Sequence, residues 1–143
     1  QARQGRSAWR AAVLFRVSDV SIHGLRDRYR HRYIDGILQF LREQYPAVVA
    51  ELSDAVILGR IEWGLRRVRQ SGVEDGRAAA LFVVTQFAVG PTFYRHPACV
   101  ALLADRRLPP EARVHSLFHA DAAIPWTDIA LGRDDSAWLK DTS

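Results

Sequence analysis

A chain of 143 residues, 48% hydrophobic and 25% charged, has the size and apolar content of one domain that needs no metal or disulfide staple, and general disorder is excluded. The lone cysteine, Cys99, excludes an internal disulfide and fits a reducing, cytoplasmic setting. The formal charge of +4 rests on arginine, with Lys140 the one lysine; it matches the arginine bias of a GC-rich coding genome and is modest beside the clustered patch of a nucleic-acid binder.

The chain opens on Gln1 and has no methionine, as expected of a processed piece from which any signal peptide is gone. Residues 1–6 read as a frayed basic leader. Ser7 is placed to cap a short helix carrying Trp9, Val13 and Leu14, and Ser18-Asp19 breaks the chain again. A long helix is predicted over residues 25–44. Its apolar positions Leu25, Tyr29, Tyr33, Ile37, Phe40 and Leu41 recur at three- and four-residue steps. Pro46 ends it, and residues 46–52 form a short turn of helix or a linker. Ser53-Asp54 then caps a helix striped by Ile57, Ile61, Leu65 and Val68, which Gly72 terminates.

Residues 78–89 are apolar on nearly every side, interrupted only by Thr85 and Gln86. Such a segment has no face to offer water and must be wrapped by other elements. At about 12 residues it falls short of the roughly 18–20 that cross a bilayer, so it is expected to be a core helix, stopped by Gly90-Pro91. Pro97 starts another helix, and Pro109-Pro110-Glu111 a further one holding Val114, Leu117 and Phe118. The tail, 121–143, is expected to be less regular, irregular or a marginal helix, and anchored by Trp126 or Ile129. With no period-two alternation anywhere, the fold is predicted to be all-α: one domain, 1–143, of about six helices around a buried central helix.

Four places carry residue types capable of chemistry. His115 and His119 are four apart and share a helix face if the helix runs through both; with Asp121 they are a candidate metal site. No third ligand on a second helix is evident, and two histidines at a helix edge explain the spacing without an ion. Cys99, three residues after His96 at a helix start, is a candidate nucleophile, yet its Ala98, Val100 and Ala101 neighbours suit a buried thiol. Residues 26–33 (RDRYRHRY) interleave Arg26, Arg28, Arg30 and Arg32 with Tyr29 and Tyr33. They suit stacked bases, a protein interface or a solvated helix edge. In the loop 90–97, Phe93 is expected to pack inward or to join Tyr94 and Arg95 in a rigid aromatic–arginine contact surface. No phosphate loop, serine elbow or paired-carboxylate motif is present.

The run Phe87-Ala88-Val89-Gly90-Pro91, Phe93, His96-Pro97, Leu102-Leu103 and the Pro110-Glu111-Ala112-Arg113 helix start resembles small uncharacterised α-helical proteins. Those are encoded beside type VI secretion spike, PAAR and effector genes in Gram-negative bacteria. Leu52-Ser53-Asp54 and the arginine-rich helix leading to Gly72 are similar too, so the likeness covers about residues 34–117. It rests on packing and turn residues and carries no catalytic motif. It implies a non-enzymatic accessory, with no cofactor or metal, that binds a secretion effector as an adaptor or chaperone. The alternatives are an immunity protein that neutralises a cognate toxin, which the basic balance disfavours for a nuclease, and an Arg/Tyr-rich nucleic-acid binder. The expected contact residues are Arg26, Arg28, Tyr29, Arg30, Arg32, Tyr94 and Arg95.

Overall fold

Caps and apolar stripes decide where the helices fall. The computed structural model describes residues 27–140; the leader, the expected 7–14 helix, the break at Ser18-Asp19 and Arg26 lie outside the described residues, and Arg28 and Tyr29 are placed only as helical backbone. Within that span the protein is all-α. Its segments are α1 (Asp27–Gln44), α2 (Pro46–Val49), α3 (Asp54–Gln70), α4 (Gly76–Val89), α5 (Pro97–Leu103), α6 (Pro110–Ser116), α7 (Trp126–Leu131) and α8 (Ala137–Lys140). Single 3-10 turns occupy Phe93–Arg95 and Ala120–Ala122. Among the described residues the count exceeds the expected six because the 46–52 connector and the tail each wind short helices, the helical one of the two forms expected for each.

Helix α4 sits at the centre. Every residue from Ala78 to Phe87 is buried, as an all-round apolar segment requires. Asp75 caps its start, accepting from the Ala78 N–H at 3.3 Å, and Gly90 ends it at φ 129°, a conformation that L side chains rarely adopt. Its two buried polar residues each make one internal hydrogen bond, while the Gln86 side-chain oxygen is buried with no partner. Thr85 donates its hydroxyl to the Leu81 carbonyl at 2.6 Å, and the Gln86 amide donates to the Pro91 carbonyl at 3.1 Å.

Helices α3, α1, α6 and α7 wrap this rod. From α3 come Ile57, Ile61, Leu65 and Val68; from α1 come Tyr33, Ile37, Phe40 and Leu41, all buried as their spacing predicts, together with Ile34 outside that stripe. Each such aliphatic or aromatic side chain contributes about 1.5–3 kcal/mol of burial. Gly64 lets α3 come close: a Cβ there would lie 2.2 Å from Gln86 Oε1 and 3.0 Å from Val83 Cγ2. Arg42 closes the connector between α1 and α3, donating to the Val49 and Leu52 carbonyls at 3.1 and 3.0 Å and pairing with Asp54.

The tail is held by fewer groups. Trp138 is its chief anchor, with ring centroids 5.2 Å from Phe87 and 5.0 Å from Trp63, while Ile129 is buried and Trp126 half-buried against Phe118. Arg133 donates to the Phe87 carbonyl at 3.1 Å and to Asp135 at 3.0 Å, so the C-terminal end of α4 receives a cation. Both expected anchors serve, Ile129 buried and Trp126 against Phe93 and Phe118, and Trp138 adds a more deeply buried one.

Candidate functional site

The face of the bundle where α3 ends, α6 begins and the 93–95 turn crosses α4 opens into a groove of about 440 Å³. Its floor is apolar: Val73, Phe82 and Val114 are buried there. Tyr94 forms one wall, its ring 5.5 Å from that of Phe82, and α5 supplies Val100 and Leu103. Val100 is 47% exposed, so the apolar strip continues outward onto the surface. Two arginines, Arg67 and Arg113, line the groove, and no carboxylate does. Arg113 is fixed in place by its Nε–H, which donates to the carbonyls of Asp105 (2.8 Å) and Leu108 (2.9 Å). Arg67 lies over the face of Trp63, 4.9 Å from the ring centroid.

A second hollow, about 320 Å³, lies under the tail between Leu52, Arg60, Phe87, Arg133 and Trp138. Its lining mixes both signs of charge and includes the tail's own anchor, so it reads as a packing defect beneath α8.

The predicted contact residues separate. In the 90–97 segment Phe93 packs inward, against Phe82 at 5.0 Å, as one of the two expectations holds. Tyr94 stands beside Arg95 but is only partly at the surface. Its ring is half-buried, its hydroxyl is buried with no hydrogen-bond partner, and Arg95 alone remains exposed, its guanidinium 5.9 Å from the Tyr94 centroid. The 3-10 turn over Phe93–Arg95 is the reason, because it swings both aromatic rings toward α4.

On α1, Arg30 is engaged in an ion pair with Glu62 of α3, both partners half-exposed. Tyr33, proposed as a stacking platform, is buried and donates to the Gly76 carbonyl at 2.7 Å; burial pushes its hydroxyl well above the ordinary tyrosine range. His31 and Arg32 are exposed. The basic segment therefore spends one arginine and one tyrosine on tying helices together. The side chains of Arg28 and Tyr29, and all of Arg26, lie outside what is described.

The two chemical candidates also part. Helix α6 ends at Ser116, so His119 falls beyond it and the four-residue spacing no longer sets both imidazoles on one face. His115 Nε2 instead lies 3.8 Å from Asp75 Oδ2, and among the described residues no three His, Cys, Asp or Glu side chains converge as a metal site. Cys99 is fully buried, and burial pushes its thiol up to about 11, the opposite of what a nucleophile needs. His96 Nδ1 accepts from the Ala98 N–H at 3.1 Å, capping α5 rather than drawing a proton from Cys99.

Sequence reasoning missed the groove because its wall is gathered from five separate stretches of chain. One signal was present. Val100, Leu102 and Leu103 lie within a seven-residue helix, and so short an element cannot turn three large apolar residues toward a single core.

No family model matches the chain, and no significant match arises among curated proteins or solved structures. Its class is therefore set by the fold: an all-α, single-domain helical bundle around one buried helix. Among the described residues, no helix is long and apolar enough to cross a membrane.

Proposed function

We propose that the protein acts by binding another protein, as a non-enzymatic accessory of a secreted effector. Loading of the effector, as adaptor or chaperone, comes ahead of neutralising a toxin. The single observation that carries the binding reading is the groove, with its apolar floor, arginines on its lining and an exposed Val100 beside it. The engagement of His96 as a helix cap and the burial of Cys99 favour binding over catalysis. The tie to type VI secretion rests on the residues at 34–117 that resemble proteins encoded beside spike and effector genes. The immunity reading comes second because arginines facing a partner suit an acidic surface, whereas a nuclease presents a basic one.

Co-expression with the products of the genes that neighbour its own, any spike, PAAR or effector protein among them, tests this. The expected result is a stoichiometric complex with the effector that survives size-exclusion chromatography; if none of those neighbours co-purifies, the secretion reading falls. Rescue of growth from a co-expressed toxin, without a loading defect in its absence, would turn the choice to immunity. Arg32→Glu and Arg95→Glu, both at exposed positions, weaken capture without moving the thermal unfolding midpoint if those surfaces contribute, and unchanged capture removes them.

A further inference from the structure

We propose that residues 133–140 are a releasable strap, and that its Trp138 fills a seat which a phenylalanine of the partner takes when the strap lifts. The contact is autoinhibitory. It deepens the binding reading given above and rests on it, yet the hollow beside the seat shares no lining residue with the groove.

The tail divides at Gly132. Ahead of it, Ile124, Ile129 and the Trp126 ring, packed on Phe93 and Phe118, fix α7 to the body. Beyond it, the N–H groups of Ala137, Trp138 and Leu139 donate to the carbonyls of Asp134, Asp135 and Ser136, inside the strap itself. Lifting the strap breaks none of these three bonds. It does break the packing of the Trp138 ring and the Arg133 hydrogen bond to the Phe87 carbonyl at 3.1 Å, so Arg133 is the latch.

The seat is selective by shape. Trp138 stands against Phe87 and Trp63, ring centroids 5.2 and 5.0 Å away, and the Arg60 guanidinium lies 5.4 Å from its ring centre. Two rings and a guanidinium around one position favour an aromatic side chain there. Trp138 itself fits imperfectly. Its Nε1–H is buried with no acceptor, which disfavours the closed state. The strap also spans the hollow of about 320 Å³ without filling it, and Leu139, 72% exposed, adds little to the hold. A phenylalanine keeps the ring packing and brings no N–H, and the residues flanking it in a partner segment have the hollow to enter.

The test is fluorine NMR of the full chain labelled with 5-fluorotryptophan, titrated with a capped Gly-Ser-Phe-Ser-Gly peptide and, as control, its alanine counterpart. The wild-type chain is expected to show a minor state shared by the Trp138 and Trp63 signals and absent from Trp126. The phenylalanine peptide should populate that state saturably, and the alanine peptide should not. Arg133→Gln removes the latch and should raise the minor population by at least about threefold, tightening the peptide by a similar factor. The wild-type titration decides by itself where Arg133→Gln lowers the unfolding midpoint. Single, unexchanging Trp138 and Trp63 signals, a minor state that also takes in Trp126, two peptides acting alike, or an unchanged population in folded Arg133→Gln each overturn the inference. So does an effector complex in which the Trp138 signal keeps its closed position, a result that leaves the binding function standing. Absence of any effector complex sinks the function, and the peptide titration then judges the strap alone.

Discussion

Helix α4 and the tail from Ala120 onward are held to the fold by opposite means. The helix is buried on all sides for ten consecutive residues, from Ala78 to Phe87, so its hold is spread over many side chains. The tail hangs on Trp138, Ile129, Ile124, the Trp126 ring against Phe93 and Phe118, and the Arg133 guanidinium, and it leaves Leu131 and Leu139 in solvent. The contrast teaches that equal helicity does not mean equal cooperativity. A distributed interface fails only when the whole domain unfolds, whereas a few-point anchorage can let go by itself.

Breaking the distributed side should produce the largest effect. Leu81→Ala, at a fully buried position on α4, is expected to cost about 2–5 kcal/mol through lost burial and the cavity it leaves. Chemical denaturation would read this as a lower midpoint with an unchanged slope. Gly64→Ala should cost about 1–3 kcal/mol by overpacking, since its Cβ meets the buried Gln86 amide. If Gly64→Ala proves neutral, α3 and α4 are less tightly seated than their approach implies.

Trp138→Ala sharpens the other side. Here the global midpoint should fall less than for Leu81→Ala, while amide exchange accelerates across 133–140. Uniform acceleration throughout α4 would show instead that the tail is part of the same cooperative unit. At the small end, Tyr94→Phe removes a buried hydroxyl that has no partner and should raise stability by up to about 1 kcal/mol.

A pH arm follows from Cys99. Burial holds its thiol protonated to about 11, against an ordinary value of 9.0. The unfolded chain therefore gives up its proton first, and the contribution of the neutral thiol, complete below pH 9, is lost as pH rises from about 9 to 11. Cys99→Ala should flatten that part of the stability profile. In the native protein, labelling by a thiol reagent at pH 8 should be slower than in the denatured chain by about tenfold or more.

How much of this was legible in the sequence depended on whether a pattern had room to repeat. The all-round apolar run at 78–89, the α1 stripe through Tyr33 and Leu41 and the Ser53 cap each span enough residues, or a specific enough pairing, to be read directly. Trp138 was not legible, because a four-residue helix holds no period to recognise. The His115/His119 pairing failed for a related reason: spacing of four means one face only while the helix lasts, and α6 stops at Ser116. Tyr94 was only half legible, because a tyrosine beside an arginine suits a surface or a core margin equally well, and the 3-10 turn decides which way the ring swings. The groove lay beyond sequence reach altogether, since Arg67 and Arg113 are far apart in the chain and meet only through the fold.

Gly64 opposite Gln86 also acts as a notch and tooth. Sliding α3 along α4 by one helical turn, about 5.4 Å, would bring Arg60 or Val68 to the notch, and neither leaves room for the amide. The pair thus fixes the alignment of the two longest-buried helices, which smooth apolar stripes alone leave free to slip. A stable homologue built on a different alignment would need its gap and its amide moved together.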